Sequence, residues 1–125
     1  MFDHVQIKVA DLAKSRPFYE AVLGTLGYKH VFEIEGVVVG FGTNPHDMLE
    51  ISQAKDDMPP SKSVHIALAA KSTQAVKDFY EAALAHGATY NGAPGLREYE
   101  PGYFAAFVID PNGNDLEAVY TEAPK

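Results

Sequence analysis

Residues 3–28 read DHVQIKVADLAKSRPFYEAVLGTLGY, and residues 64–88 read VHIALAAKSTQAVKDFYEAALAHGA. The second stretch repeats the first. His4 falls on His65, and Phe18-Tyr19-Glu20-Ala21 falls on Phe79-Tyr80-Glu81-Ala82 at the same spacing. The ends of the halves correspond as well. Asn44-Pro45-His46-Asp47-Met48-Leu49-Glu50-Ile51 resembles Asp110-Pro111-Asn112-Gly113-Asn114-Asp115-Leu116-Glu117-Ala118, which sets Leu49-Glu50 on Leu116-Glu117. The second half is longer between these anchors, and the excess is assigned to a loop, Asn91 to Gly102. A repeat of this length marks a chain built from two copies of one supersecondary unit.

Each copy has the same coarse pattern. Phe2 to Val9 alternates apolar Val5, Ile7 and Val9 with polar His4, Gln6 and Lys8, the period of a strand with one buried face. Leu12, Phe18, Val22, Leu23 and Leu26 recur at helical spacing. Pro17 is tolerated best near a helix start, so the regular helix is expected from about Ser15 or Arg16 and is expected to stop at Gly27. Tyr28 to Phe41 reads as two strands turning near Glu35-Gly36, and Met48 to Ser52 as a further strand. In the second copy Val64 to Ala69 is the first strand. Ser72 caps a helix running to His86, and Gly87 ends it. Tyr103 to Ile109 and Asp115 to Tyr120 are strands joined by the turn Asp110-Pro111-Asn112-Gly113. The expected architecture is α+β: two tandem βαβββ modules (1–52 and 63–125, linked by 53–62) in one domain, with curled sheets forming a cavity and helices outside.

Composition narrows the chemistry. The 125 residues carry a formal net charge of −7, and the ten Lys and Arg are scattered, which argues against nucleic acid and anionic membranes as partners. No stretch approaches the ~20 apolar residues of a membrane span, and Met1-Phe2-Asp3-His4 lacks the layout of a signal peptide, so a cytoplasmic location is expected. There is no Cys, which removes disulfides, thiolate metal sites and Cys nucleophiles together. A metal would have to be held by His, Asp or Glu, as zinc, nickel, manganese or ferrous iron can be.

Four residues meet that requirement at equivalent positions. His4 and His65 lie opposite the apolar residues of their strands, and Glu50 and Glu117 lie between apolar neighbours on theirs. If the two sheets face one another, His4, Glu50, His65 and Glu117 converge. Two imidazoles and two carboxylates suit a divalent cation and leave a position open for substrate, and Glu117 or Glu50 beside the metal can relay a proton. A strand His or Glu taken alone is more often a hydrogen-bonded or solvated surface residue, and only the repetition singles these four out. Arg97, Tyr99 and Tyr103, on or beside the long second-half loop, are candidates for holding substrate; the plainer assignment is a surface Arg with loop-packing aromatics. His30, His46 and His86 read as surface or capping residues, and Phe18, Tyr19, Phe79 and Tyr80 as core.

The stretches His4 to Leu12, Phe18 to Gly24, Leu26 to Tyr28, His65 to Ala67 and Phe107 to Glu117 resemble the vicinal-oxygen-chelate superfamily over nearly the whole chain. That superfamily includes glyoxalase I, bleomycin-resistance proteins and extradiol dioxygenases. The resemblance implies a metal bound by His4, Glu50, His65 and Glu117, a small-molecule substrate converted through a metal-stabilised enediolate, and a homodimer, in some members with modules exchanged between chains. Lys8 stands near the place of an Arg that helps glyoxalase I hold glutathione. The same fold also serves metal-free ligand-binding or resistance proteins and ferrous extradiol dioxygenases, and both remain alternatives.

Overall fold

A computed structural model describes residues 1–122; the last three residues of the expected second module, 123–125, lie outside the described residues. The elements follow in the order β1 (His4–Val9), α1 (Leu12–Gly24), β2 (Lys29–Ile34), β3 (Val38–Asn44), β4 (Asp47–Gln53), β5 (His65–Ala69), α2 (Thr73–Ala85), β6 (Thr89–Arg97), β7 (Tyr103–Ile109) and β8 (Asp115–Thr121). They form two open four-stranded sheets, β1-β4-β3-β2 and β5-β8-β7-β6, so the βαβββ unit occurs twice with the same strand order. In each sheet the first strand pairs parallel to the last, and the remaining pairs are antiparallel.

Each helix covers the apolar face of its own sheet. Ile7, Val9, Leu49, Ile51, Val39 and Phe41 meet Phe18, Tyr19, Val22 and Leu23 of α1, and Leu116, Ala118, Ala106 and Val108 meet Val76, Phe79 and Ala83 of α2. One continuous core includes residues of both modules, and α1 packs on α2. The aromatics assigned to the core are there: Phe18, Tyr19 and Phe79 are buried, and Tyr80 packs against the same cluster.

Two local expectations are corrected. The first helix begins at Leu12, not at Ser15 or Arg16. The Asp11 side chain caps it by accepting from the Lys14 amide at 3.2 Å, and burial of Leu12 and Ser15 holds the first turn down. Pro17 therefore sits inside the helix and costs one backbone hydrogen bond, which the buried face of α1 outweighs. The second correction concerns Asn91 to Gly102. Most of this supposed loop is β6, which runs to Arg97 with register shifts on both sides of Gly92. Gly and Pro read as loop signals, yet β6 is an edge strand, and edges and bulges tolerate both.

The modules are also joined by a polar hub at the turn before β8. Asp110, buried, accepts from the amides of Asn112 (2.9 Å) and Asn114 (2.8 Å), from Asn114 Nδ2 (3.3 Å) and from the Tyr19 hydroxyl of α1. Asn112 Oδ1 accepts from the Ala10 amide at the end of β1, and Asn114 Oδ1 from the Val64 amide ahead of β5. Burial, and then the neighbouring Asp110 carboxylate, push the Tyr19 phenol well above the usual tyrosine range, so it remains a donor. Replacing Tyr19 with Phe leaves a buried carboxylate one donor short, and we expect a loss of about 1–3 kcal/mol of stability in denaturant-melting experiments with the native circular-dichroism spectrum retained.

Candidate functional site

The site residues follow from strand register. In the first sheet His4 lies opposite Met48 and Gln6 opposite Glu50, so His4 is the diagonal neighbour of Glu50 on one face. In the second sheet His65 lies opposite Asp115 and Ala67 opposite Glu117, which repeats the diagonal. Each module thus pairs an imidazole with a carboxylate on the face away from its helix. The side-chain exposures are alike in both: 49% for His4 over 6% for Glu50, and 55% for His65 over 2% for Glu117.

A buried carboxylate needs donors, and the modules supply them differently. In the first, Gln6 Nε2 donates to Glu50 Oε1 at 2.9 Å, while the Gln6 carbonyl accepts from Ser52 Oγ (3.0 Å) and Lys8 Nζ (2.9 Å). His4 Nε2 stands 3.8 Å from Glu50 Oε1. The other ring nitrogen, Nδ1, is bonded to Asp3 at 2.8 Å, and the second Asp3 oxygen is bonded to His46 Nδ1, also at 2.8 Å. In the neutral ring with Nδ1 donating to Asp3, Nε2 carries the lone pair on the side of Glu50, and in the protonated ring it carries a proton there. Across the sheet from Glu50 is Gly40, where an added Cβ would meet Met48 Sδ at 2.6 Å.

In the second module His65 Nε2 is bonded to Glu117 Oε1 at 2.9 Å, and the Tyr103 hydroxyl donates to Glu117 Oε2. Burial, then the bond to Glu117, raise the Tyr103 phenol to about 12. Opposite Glu117 is Phe107, whose ring lies 6.2 Å from that of His65. Arg97, on the edge strand, stacks its guanidinium over the Phe107 ring, 5.4 Å from its centre. Tyr99 packs edge-on against Tyr103. His65, Arg97, Tyr99 and Phe107, with Asp115, border a shallow hollow of about 350 Å³.

Within one chain the four candidate ligands do not reach one point. Among the described residues no three His, Asp or Glu side chains come together as a metal cluster; His4 with Glu50 and His65 with Glu117 are separate pairs, one per module. The cause is packing: the main contact between modules runs through α1 and α2, so the His and Glu faces, which lie opposite the helices, are left uncovered. The donor chemistry nevertheless suits a divalent cation. Two ligands each about 2.1 Å from one ion stand roughly three to four ångströms apart, and His4 Nε2 and Glu50 Oε1 are spaced in this way. The His65–Glu117 pair offers the same donors, now engaged with each other and with Tyr103.

Sequence reasoning missed Gln6 and Asp3. Gln6 was visible as a polar residue of β1, and its alignment with Ala67 hid its role, because no partner repeats it. Asp3 precedes the strand beside His4 and meets His46 only through the fold.

The chain matches the model of the glyoxalase/bleomycin resistance protein/dioxygenase superfamily over residues 1–118. It belongs to that superfamily. Among solved structures, a glyoxalase/bleomycin resistance protein from Albidiferax ferrireducens T118 is 30% identical, with a TM-score of 0.84 over 96% of this chain and 98% of that one. A lactoylglutathione lyase from Agrobacterium tumefaciens is 18% identical, with a TM-score of 0.67 over 96% of this chain and 92% of its own. An integron cassette protein from V. cholerae is 22% identical, with a TM-score of 0.67 over 96% and 94%. The last two show likeness of fold. No curated protein matches the sequence. No helix among the described residues is long and apolar enough to cross a membrane.

The Asp3 contacts predict a pH signature. The hydrogen bond from His4, then that from His46, lowers the Asp3 pKa, and the Asp3 bond, then Glu50, raises that of His4 above its ordinary 6.5. The raised His4 favours the folded state fully below 6.5 and loses this effect as pH rises through its folded pKa. The lowered Asp3 acts above its ordinary 3.8 and loses its effect as pH falls through its folded pKa. The pair therefore acts between those limits. An NMR titration of the His4 ring is expected to show the raised pKa, and Asp3→Asn is expected to bring it back towards 6.5; an unchanged midpoint would refute the assignment.

Proposed function

We propose that this protein is a metal-dependent enzyme of glyoxalase type, acting on a small molecule with adjacent oxygen-bearing carbons. The observation that carries the proposal is the duplicated diagonal of an exposed His over a buried Glu, His4–Glu50 and His65–Glu117, on uncovered sheet faces. The metal would be held by these four residues, with the first module of one chain meeting the second module of another in a homodimer. A divalent cation there supplies a Lewis acid that polarises a substrate oxygen. Glu117 takes the proton from the hydroxyl-bearing carbon beside the substrate carbonyl and returns it to the former carbonyl carbon, while the hydroxyl proton passes from one substrate oxygen to the other. Tyr103 holds the Glu117 carboxylate in position through its second oxygen. Asp3 fixes the ring of His4, and Gln6 fixes the carboxylate of Glu50, the alternative proton carrier.

A second reading is supported by the second module itself. His65, Glu117 and Tyr103 satisfy one another without an ion, as expected of a metal-free protein that only binds its ligand on this face.

Elemental analysis after dialysis against zinc, nickel, manganese or ferrous iron separates the two. The enzyme reading predicts one ion per chain, lost in His65→Ala and in Glu50→Gln, and a dimer by light scattering. Absence of uptake by the unaltered protein favours the metal-free reading. Mixing His4→Ala with His65→Ala tests the shared site: a mixed dimer regains one intact set of ligands only if the two modules of a site come from different chains.

A further inference from the structure

Arg97 is a cation built into the wall of the second-module hollow. β6 pairs with β7 so that Gly92 lies opposite Phe107 and Arg97 opposite Tyr103, while Phe107 lies opposite Glu117 on β8. Arg97, Phe107, Tyr103 and Glu117 therefore share one face, with His65 beside them. The guanidinium lies 5.4 Å from the Phe107 ring centre. Its Nη2 donates to the Ala93 carbonyl at 2.7 Å, and Nη1 to that of Leu96 at a longer 3.4 Å.

The backbone makes room for it. A Cβ at Gly95 would stand 3.1 Å from Arg97 Nη1, and one at Gly92 would stand 3.3 Å from Nη2 and 3.2 Å from Phe107. The glycines that make β6 look like a loop also leave the guanidinium free to lie close against it. Stacking and the Ala93 bond fix the plane of the group before any ligand arrives, which lowers the cost of ordering it on binding. A guanidinium has five N–H donors, so most of its hydrogen-bonding capacity is still free. Among the described residues no carboxylate forms an ion pair with Arg97, although the chain has 17 acidic residues to 10 basic ones.

We propose that Arg97 is a substrate-binding residue that holds a planar anion, a carboxylate, on the small molecule that enters this site. A fixed guanidinium fork matches a carboxylate in shape as well as charge, and the neighbouring Phe107 and Tyr99 give an apolar flank for the carbon skeleton next to it. Asp115, on the same hollow, repels an anion from its own side, so the carboxylate is directed to the Arg97 end and the rest of the molecule towards His65, which is bonded to Glu117. This assignment rests on the proposed function for the identity of the reacting end, and on the geometry of β6 alone for the anion site.

The test uses the full chain in the presence of a chelator, with benzoate and the isosteric neutral benzamide as probes in titration calorimetry. Benzoate is expected to bind more tightly than benzamide. Arg97→Gln is expected to weaken benzoate by roughly tenfold or more, the usual effect of removing a hydrogen-bonded charge, and to leave benzamide unchanged. Arg97→Lys is expected to recover only part of the affinity, because it keeps the charge and loses the fork. Arg97 lies on an edge strand, and a native circular-dichroism spectrum and melting temperature certify the variants. No binding of benzoate to the unaltered protein, equal affinity for the two probes, or an unchanged affinity in Arg97→Gln would each overturn the proposal. Because chelator is present throughout, failure here leaves metal uptake unaffected, and failure of metal uptake leaves this result standing.

Discussion

The structure depends on the carboxylate of Asp110. It is buried at the turn before β8, where water cannot solvate it, and its charge is balanced by donors from two backbone amides, from Asn114 and from Tyr19 of the other module. The same turn receives the ends of β1 and the start of β5 through the side chains of Asn112 and Asn114. A buried charge of this kind is costly unless every donor is in place, so it specifies one arrangement of the modules more strictly than apolar packing does. It also sets where β8 begins. The register that follows puts Glu117 diagonal to His65.

The site is a consequence of alternation. A strand directs successive side chains to opposite faces, so once Ile7 and Val9 face α1, His4 and Gln6 must face away, and once Leu116 and Ala118 face α2, Glu117 must do likewise. The parallel pairing of first and last strands then brings His and Glu of each module together. The two copies have diverged around this shared frame. Gln6 and Gly40 surround Glu50, while Tyr103 and Phe107 surround Glu117, leaving the first pair open between Nε2 and Oε1 and the second closed by hydrogen bonds. The second module has in addition the Arg97 wall, for which the first has no counterpart. The two His–Glu pairs are therefore asymmetric: donors of similar type occur in both modules, and a cation stands beside the second.

Much of the fold was readable because its signals are local and repeated. The strands at His4–Val9 and His65–Ala69, the capped helix after Ser72, the turn at Glu35-Gly36 and the strands flanking Asp110-Pro111-Asn112-Gly113 all lie within a residue or two of where alternation, caps and glycines put them. Pro17 and the Gly and Pro residues of 91–102 misled for a common reason. Local propensity disfavours helix and strand there, and burial of the Leu12 turn in one case and pairing with β7 in the other outweigh it. Gln6 and Asp3 were not legible as site residues because a polar residue gains a role only through a partner, and their partners are Glu50 and His46, far along the chain.

By itself the sequence determined the duplicated βαβββ plan and which side of each strand is polar, since both follow from the order of apolar and polar residues along the chain. It also singled out His4, Glu50, His65 and Glu117 through their repetition. Only the tertiary structure decided that these residues form two pairs, that Tyr103 bonds to Glu117, and that Arg97 is seated on the glycines of β6. Such contacts depend on register between strands and on helices packing between modules, and those are set by the summed burial of many distant residues, which no single stretch of sequence encodes.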